Sequence, residues 1–298
     1  LERIYAPTNP YKIAFTGLTN VGKSTLLNAL LGQDIAPVKN CPWSSIPVEY
    51  SYGKQVDCIL HFHNSFKKHT QSFHDSSSLC DFLRAWSTEE MQCKNIVTKL
   101  EIHYPSSILN NLIVVDTPGY GATGEDKEDV DSGLHDTILL NYLNKYPQRV
   151  FWITRTVDGD IPGQSDISFF KEHISPNCTD IIVNYQKAIS SQDIHLFTQR
   201  LIQSIGSYFP IYFLNAKAAL QSLHNFNHDR FNDSGLQQIK TLITKSSNPS
   251  YRLTQFGDEL IQLFLQMQTF LHEIDPSCCY WVESEILELN YRLKSSIN

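Results

Sequence analysis

The residues with the clearest chemical meaning lie near the start of the chain, where Gly17, Gly22, Lys23 and Ser24 follow the spacing G-x-x-x-x-G-K-[ST]. Glycines let a backbone approach phosphate oxygens closely, and amides at a helix N-terminus donate hydrogen bonds to an anion. The lysine adds positive charge beside the β- and γ-phosphates, and the serine hydroxyl is a ligand for Mg²⁺. The pattern therefore predicts a P-loop, a site for a nucleoside triphosphate and magnesium.

A second element of the same chemistry is the sequence Asp116-Thr117-Pro118-Gly119, which follows the apolar run Leu112–Val115. A carboxylate at the carboxyl end of a buried strand suits an Asp that orders metal-bound water. Gly119 offers a backbone amide to a γ-phosphate with no side chain in the way. The segment after Gly119 then has a reason to move when that phosphate leaves.

The elements that position these residues alternate between strands and helices. A β-type run at 12–16 precedes the P-loop, and leucines at helical spacing follow it. Further strands are predicted at 48–52, 56–63, 97–104, 112–116, 150–154, 181–184 and 211–214, and helices at 132–145, 163–173 and 193–208. This alternation predicts an α/β fold, a P-loop domain with a mostly parallel sheet flanked by helices.

Two regions depart from that alternation. Residues 58–97 form a polar insertion, in which we expect one helix at 79–86 and another opened by the capping box Ser87-Thr-Glu-Glu90. Residues 251–298 carry two apolar stripes at helical spacing, separated by Asp275-Pro276, and predict a helical hairpin. We therefore expect one domain at 1–250 and a helical segment at 251–298.

The overall charge argues against a nucleic-acid binder. The chain has 298 residues, with 24 Lys and Arg against 31 Asp and Glu, a formal net charge of -7 and a sequence pI near 5.9. A duplex binder carries a basic footprint that this composition lacks, so we expect no nucleic-acid partner. Its 7 cysteines without C-x-x-C spacing are typical of reduced thiols in a cytosolic protein. No apolar run approaches the roughly 20 residues that span a bilayer, so we expect a cytoplasmic protein.

The order of these motifs resembles that of GTPases: the P-loop, the DTPG sequence, Asn184 after a later strand, and Asn215-Ala-Lys217 after a further one. Three other segments, 36–47, 100–105 and 213–220, are similar to bacterial dynamin-like proteins. The resemblance covers roughly 12–271. It implies an enlarged GTPase domain followed by a helical neck, in a family of large self-assembling GTPases that act on membranes.

The resemblance implies roles for individual residues. It implies that these residues bind the phosphates: Gly17, Asn20, Val21, Gly22, Lys23, Ser24 and Thr25. It implies Mg²⁺ ligation by Ser24, Ser44 and Asp116, and catalytic roles for Lys23, Ser44, Gly119 and Thr19. It implies that Asn184, Ala216 and Lys217 frame the base. GTP and GDP would be substrate and product. The expected partner is a second copy, bound through the GTPase domain when nucleotide is present, and membrane contact, at most peripheral, would come from parts outside this chain.

Several positions depart from the family. Thr19 stands where eukaryotic dynamins have a catalytic Gln, Ser44 where the first switch has a Thr, and Tyr120 follows Gly119 where Ras-like GTPases have a Gln. The base-reading pattern Asn-Lys-x-Asp becomes Asn184-Tyr-Gln-Lys187, so Tyr185 is a candidate to stack on the base, and no carboxylate pairs with guanine.

The alternatives are therefore guanine binding, adenine or promiscuous binding, and a degenerate switch. The main functional alternative is a nucleotide-binding scaffold with negligible turnover. A ribosome-assembly GTPase is disfavoured by the acidic composition. Arg155, just past a predicted strand, is a candidate for contact with phosphates or a partner's site, although such an arginine is more often a surface residue.

Overall fold

The computed structural model describes residues 10–36, 46–62, 68–89, 97–120, 132–145, 147–156, 160–174, 179–186, 190–206, 209–225 and 227–251, with scattered positions between 257 and 291. The chain divides into two compact units. One is Pro10–Leu242 and contains the sheet. The other comprises Leu1–Asn9 and Ile243–Asn298.

A nine-stranded sheet forms the centre of the first unit. Its strands are β1 Tyr11–Thr16, β2 Val48–Tyr52, β3 Val56–Phe62, β4 Lys68–Phe73, β5 Val97–Tyr104, β6 Leu112–Asp116, β7 Arg149–Arg155, β8 Thr179–Asn184 and β9 Ile211–Leu214. They lie in the order β4-β3-β5-β2-β6-β1-β7-β8-β9.

Among the described helices, the first five lie between these strands and the last three follow β9. They are α1 Lys23–Leu31, α2 Ser76–Glu89, α3 Ser132–Lys145, α4 Gln164–His173, α5 Ser191–Ile205, α6 Ala216–His224, α7 His228–Asp233 and α8 Leu236–Ser247. A short 3₁₀ turn, Ser107–Leu109, precedes β6.

Five neighbouring strands, β6, β1, β7, β8 and β9, run parallel to one another. Their carboxyl ends therefore meet at one edge of the sheet, where ligands of open α/β sheets bind. The other four strands lie beyond β6 in the sheet. There β2 pairs antiparallel with β6, and β3 pairs antiparallel with both β4 and β5. The prediction of a mostly parallel sheet flanked by helices is confirmed.

One hydrophobic cluster fixes three helices against the sheet. Trp152 of β7 is fully buried, and around it pack Leu139 from α3, Phe170 from α4 and Leu201 from α5. Alternate residues of the strands are buried as well, and Phe15 stacks on Phe151 with ring centroids 5.7 Å apart. Helix α1 contacts β6 and α6. In β1 and β7 consecutive residues are buried, so the side chains on both faces of the sheet are covered. These two strands therefore form the interior of the domain.

The region 58–97 differs from its prediction in two ways. Strand β4 pairs with β3 and forms one edge of the sheet, although the sequence predicted no strand there. The expected second helix beginning at Ser87 is wrong, because α2 is one helix from Ser76 to Glu89 and passes through that residue. A capping box needs a non-helical first residue, and here the preceding turns already hold Ser87 in helical geometry.

Most of the predicted hairpin at 251–298 lies outside the described residues, and the positions described there are helical. Within the described part of the chain, no helix has the length and apolar character needed to cross a membrane.

Candidate functional site

The loop between β1 and α1 has the backbone that the P-loop pattern requires. Gly17 has φ 151°, Asn20 φ 65° and Gly22 φ 102°, values that favour glycine over residues with a side chain. A Cβ on Gly17 would lie 2.1 Å from the carbonyl oxygen of Ile153, and one on Gly22 would lie 2.3 Å from Nδ2 of Asn184. Glycine is therefore required at both ends of the loop for steric reasons as well as for its conformation.

Lys23 is held at this loop by two backbone acceptors. Its Nζ donates to the carbonyl oxygens of Gly17 at 3.0 Å and Leu18 at 2.8 Å, and the residue is 8% exposed. Burial lowers the pKa of Lys23 to about 8, an effect that the nearby carboxylate of Asp116 partly offsets. The ammonium is therefore positioned at the loop before any phosphate arrives, at a pKa close to neutral pH.

This pKa predicts that nucleotide affinity depends on pH. Phosphate binds the protonated ammonium, so protein with neutral Lys23 must take up a proton before it binds. With a pKa of about 8 in the free protein, the apparent Kd for GDP should rise about tenfold between pH 7 and pH 9. Fluorescent GDP titrations at fixed ionic strength measure this. Lys23→Arg, whose side chain stays protonated, should show no such rise, and an equal rise in that variant would contradict the assignment.

Ser24 and Asp116 meet below the loop. The Ser24 hydroxyl donates to Oδ2 of Asp116 at 2.6 Å, joining the first residues of α1 to the end of β6. Burial raises the pKa of Asp116, while Lys23 and the Ser24 hydroxyl act in the opposite direction. A hydroxyl and a carboxylate are oxygen ligands of the kind that Mg²⁺ prefers, and both lie beside the phosphate-binding amides. The two residues therefore fit a magnesium ion that also contacts phosphate. Among the described residues there is no cluster of three or more His, Cys, Asp or Glu side chains that could hold a metal by itself.

The DTPG sequence packs directly on the P-loop. A Cβ on Gly119 would lie 2.6 Å from Oγ1 and 2.8 Å from the backbone nitrogen of Thr19, so a side chain at position 119 would displace the loop. Thr117 fixes the approach, since its hydroxyl donates to the carbonyl of Phe15 at 2.7 Å. The next residue, Tyr120, forms a parallel bridge with Leu18. A ligand that moves Gly119 toward the P-loop must therefore also displace Thr19.

Tyr120 is anchored in the core. It is 4% exposed, accepts a hydrogen bond from Nε1 of Trp152 at 2.8 Å, and stacks on Phe169 with centroids 3.8 Å apart. Burial raises the pKa of Tyr120, so the phenol stays protonated. This side chain links the start of the post-DTPG segment to α4, and its hydroxyl is engaged with Trp152.

Asn184 joins two loops at the end of β8. Its Nδ2 donates to the carbonyl of Val21 at 2.8 Å, and its Oδ1 accepts from the backbone N–H of Ala216 at 3.1 Å. The side chain thus fixes the P-loop to the first residue of α6. Asn215 caps that helix, accepting from the N–H of Ala218 at 2.9 Å. Asn184 and Ala216, both expected from the sequence, are brought together in one place.

The remaining expected residues are less constrained. Thr19, Asn20 and Lys217 are exposed, and Thr25 is partly buried in the first turn of α1. The hydroxyl of Tyr185 donates to the carbonyl of Asp233 at 3.2 Å, so this contact ties Tyr185 to the end of α7. Ser44 and Lys187 lie outside the described residues.

One positioning residue was missed. Asn28, fully buried in α1, accepts from the N–H groups of Ile35 at 2.9 Å and Ala36 at 2.7 Å and donates to the carbonyl of Ala36 at 3.0 Å. It thereby fixes the beginning of the segment that leads to Ser44. A polar residue inside the otherwise apolar run Leu26–Leu31 was the available signal.

Taken together, the loop geometry, Lys23, the Ser24–Asp116 contact and the Asn184 bridge define a P-loop nucleotide-binding site at the carboxyl edge of a parallel sheet. The sequence profile of the dynamin family matches residues 13–203, well over half of the chain. The chain therefore belongs to the dynamin family, and this region is its GTPase domain.

Two proteins are similar in sequence to parts of this chain. An uncharacterized protein in the xynA 3' region of Caldicellulosiruptor sp. (strain Rt8B.4) is 27% identical over 236 residues, 76% of this chain and 54% of its own length. Dynamin-like protein 1 of Campylobacter jejuni subsp. jejuni serotype O:23/36 (strain 81-176) is 30% identical over 139 residues, 37% of this chain and 19% of its own.

A solved structure shares the fold. It belongs to an oligomerised bacterial dynamin pair described as providing a mechanism for long-range sensing and tethering of membranes, and it matches 96% of this chain with a TM-score of 0.59 at 18% identity. The match covers 46% of that protein. The chain thus spans about half or less of the length of these relatives.

Proposed function

We propose that this chain is a Mg²⁺-dependent GTPase domain that hydrolyses GTP to GDP and phosphate. The observation that carries the proposal is the 2.6 Å contact between Ser24 and Asp116 directly below a P-loop whose lysine is already in place. It unites the phosphate-binding and magnesium-binding elements of a nucleotide hydrolase. Membership in the dynamin family supports guanine as the base.

In this proposal the phosphates lie over the loop from Gly17 to Thr25, where backbone amides and the helix N-terminus donate to their oxygens. Lys23 exchanges its two carbonyl acceptors for β- and γ-phosphate oxygens, which the proximity of those carbonyls to the loop makes a short movement. Positive charge is then in place where negative charge develops during transfer.

Ser24, Ser44 and Asp116 would hold Mg²⁺, the first two as ligands and the carboxylate by ordering its water. When bound, the ion neutralises charge on the β- and γ-phosphates. Gly119 offers its amide to the γ-phosphate, and its tight packing on Thr19 couples that contact to the P-loop. Thr19 is the side chain closest to this contact and the candidate for positioning the attacking water.

Asn184, Ala216 and Lys217 frame the base. Asn184 supports the proposal chiefly as a positioning residue, since both ends of its amide are engaged with the backbone. Guanine specificity then depends on the Ala216–Lys217 segment and on the residues that follow Tyr185.

We further propose a nucleotide-dependent homodimer through this domain and, by parts outside this chain, contact with a membrane from the cytoplasmic side. The solved relative is described as an oligomerised pair that tethers membranes. That similarity supports self-association for a chain of the same family.

One observation favours a second candidate, a nucleotide-binding scaffold with negligible turnover. Tyr120 stands at the position where Ras-like GTPases have a water-orienting Gln. Its hydroxyl is buried and accepts a hydrogen bond from Trp152. Hydrolysis then relies on Thr19 and on a partner chain. In the scaffold, neither Thr19 nor a partner chain stabilises the transition state enough for measurable hydrolysis.

Phosphate release at increasing protein concentration separates the two candidates. The GTPase should release phosphate with Mg²⁺ and not with EDTA, at a rate per molecule that increases with protein concentration. Ser24→Ala removes a magnesium ligand and should lower the rate by about a hundredfold, the size expected for loss of one transition-state contact.

Ser72→Ala, at an exposed position of β4, is the matched control and should keep the full rate. GTP binding without measurable release at any concentration would favour the scaffold.

A further inference from the structure

A pocket of about 240 Å³ lies beside the P-loop. Its walls come from the outer residues of that loop, from the end of β7 and from the start of α4, and include Thr19, Asn20, Arg155, Asp160 and Asp166. A water molecule takes about 30 Å³ in the liquid, so this space holds several waters or the planar end of one long side chain. Asp160 and Asp166 have no part in the binding of phosphate or base proposed above.

Asp166 is the chemically unusual member of the pocket. It is the third residue of α4, is 7% exposed, and its Oδ1 has no hydrogen-bond partner within the described structure. Burial also raises the pKa of Asp166. A buried carboxylate oxygen without a hydrogen bond costs stability, and Oδ1 of Asp166 is therefore available to accept a hydrogen bond from a ligand.

The charges around the pocket indicate what that ligand is. Two carboxylates, Asp160 and Asp166, line the pocket together with one guanidinium, Arg155, which is exposed at the end of β7. Across the described ranges of the chain no ion pair involves any of the three. We propose that this pocket is a binding site for a guanidinium or ammonium group, which donates hydrogen bonds to Asp166.

The same chemistry can come from a small free cation or from a second copy of this chain. The residues that line the pocket favour the second copy, a choice that rests on the homodimer proposed above, because they include both a cation, Arg155, and a carboxylate that can bind one, Asp166. A twofold interface brings the same patch of each copy together, so that Arg155 of each copy enters the pocket of the other. Each incoming guanidinium would then lie beside Thr19 and Asn20 of the opposite P-loop.

The first arm of the test measures the site without nucleotide, so it does not depend on GTPase activity. Agmatine, which carries a guanidinium and an ammonium, is titrated into the protein by calorimetry at low ionic strength. A charge-assisted hydrogen bond to a buried carboxylate predicts that Asp166→Asn weakens binding by about tenfold or more. Asp229→Asn, an exposed carboxylate of α7, is the control and should bind as the unaltered protein does. Tetramethylammonium, a cation without N–H donors, should not bind.

The second arm identifies the source of the cation by sedimentation velocity with a non-hydrolysable GTP analogue. If Arg155 of a second copy is the ligand, Arg155→Ala and Asp166→Asn each weaken self-association. Mixing the two variants restores one of the two contacts and gives a stronger dimer than either variant alone. If a small free cation is the ligand, self-association is the same in all of them while agmatine binding is still lost in Asp166→Asn.

Thermal unfolding of Asp166→Asn is the check on folding, and it should be at least as stable as the unaltered protein because a buried charge has been removed. The proposal is overturned if Asp166→Asn matches the unaltered protein in both arms. Loss of GTP binding alone would contradict the proposed GTPase and leave this site untouched.

Discussion

Replacing Lys23 with alanine is expected to weaken nucleotide binding by about a hundredfold or more, the largest effect that the site predicts. The ammonium is held within 3.0 Å of two loop carbonyls, so its position is set before binding and little order is lost when phosphate arrives. Charge-assisted hydrogen bonds of this kind contribute about 1.5–3 kcal/mol each, and Lys23 contributes to two phosphates. Anisotropy of fluorescent GDP measures the loss directly.

Lys54→Ala is the matched control, since Lys54 is an exposed lysine of the same domain outside the site. It should bind nucleotide as the unaltered protein does. Equal affinity in Lys23→Ala and Lys54→Ala would show that the loop does not hold phosphate. Circular dichroism of Lys23→Ala checks that the variant keeps the native fold, so that its loss of affinity reports lost contacts with phosphate.

Asn184→Ala is expected to lower the free energy of unfolding by about 2–4 kcal/mol and to weaken nucleotide binding by about tenfold or more. The substitution leaves two groups without their partner, the carbonyl of Val21 and the N–H of Ala216, both in buried positions. It also releases the P-loop from α6, so the phosphate and base subsites lose their fixed separation. Urea unfolding and GDP titration measure the two effects.

Asn141→Ala, at an exposed position of α3, is the comparison for the loss of an asparagine side chain and should change stability by less than about 0.5 kcal/mol. If Asn184→Ala lowers stability but leaves affinity for GDP and its preference over ADP unchanged, Asn184 is only a structural bridge, and the base site lies elsewhere.

The P-loop residues could be predicted from sequence because each is required by local geometry. Gly17 and Gly22 adopt positive φ, and the strand and helix on either side have clear apolar periodicity. Asp116 follows from its place at the end of an apolar strand. Each of these patterns spans only a few residues, so the phosphate-binding and magnesium-binding residues could be proposed from the sequence alone.

Strand β4 was missed because local sequence patterns do not predict it. Lys68–Phe73, with the sequence KHTQSF, has no apolar face because β4 is an exposed edge strand, paired only with β3. The capping box at Ser87 is a genuine local pattern, but the helical turns that precede it continue α2 through this residue. Pairing with β3 fixes the strand, and its own residues carry no apolar pattern that predicts it.

The surroundings of Tyr120 and Asp166 could not be predicted because they depend on contacts with distant parts of the chain. Tyr120 is separated from Trp152 and Phe169 by more than thirty residues, and only the folded sheet brings their side chains together. Asp166 is an ordinary acidic residue in a first helical turn until the P-loop and the end of β7 enclose it. Burial by distant segments of the chain gives these two common residue types their particular surroundings.

The central claim, a guanine-nucleotide site formed by the P-loop and the Asn184 bridge, is tested most directly by titrating the protein with GDP, GTP, ADP and ATP in Mg²⁺ buffer. The account predicts that GDP and GTP bind at least about tenfold more tightly than ADP and ATP, a difference of about 1.4 kcal/mol. Tighter binding of adenine nucleotides, or binding of none of the four, would contradict it.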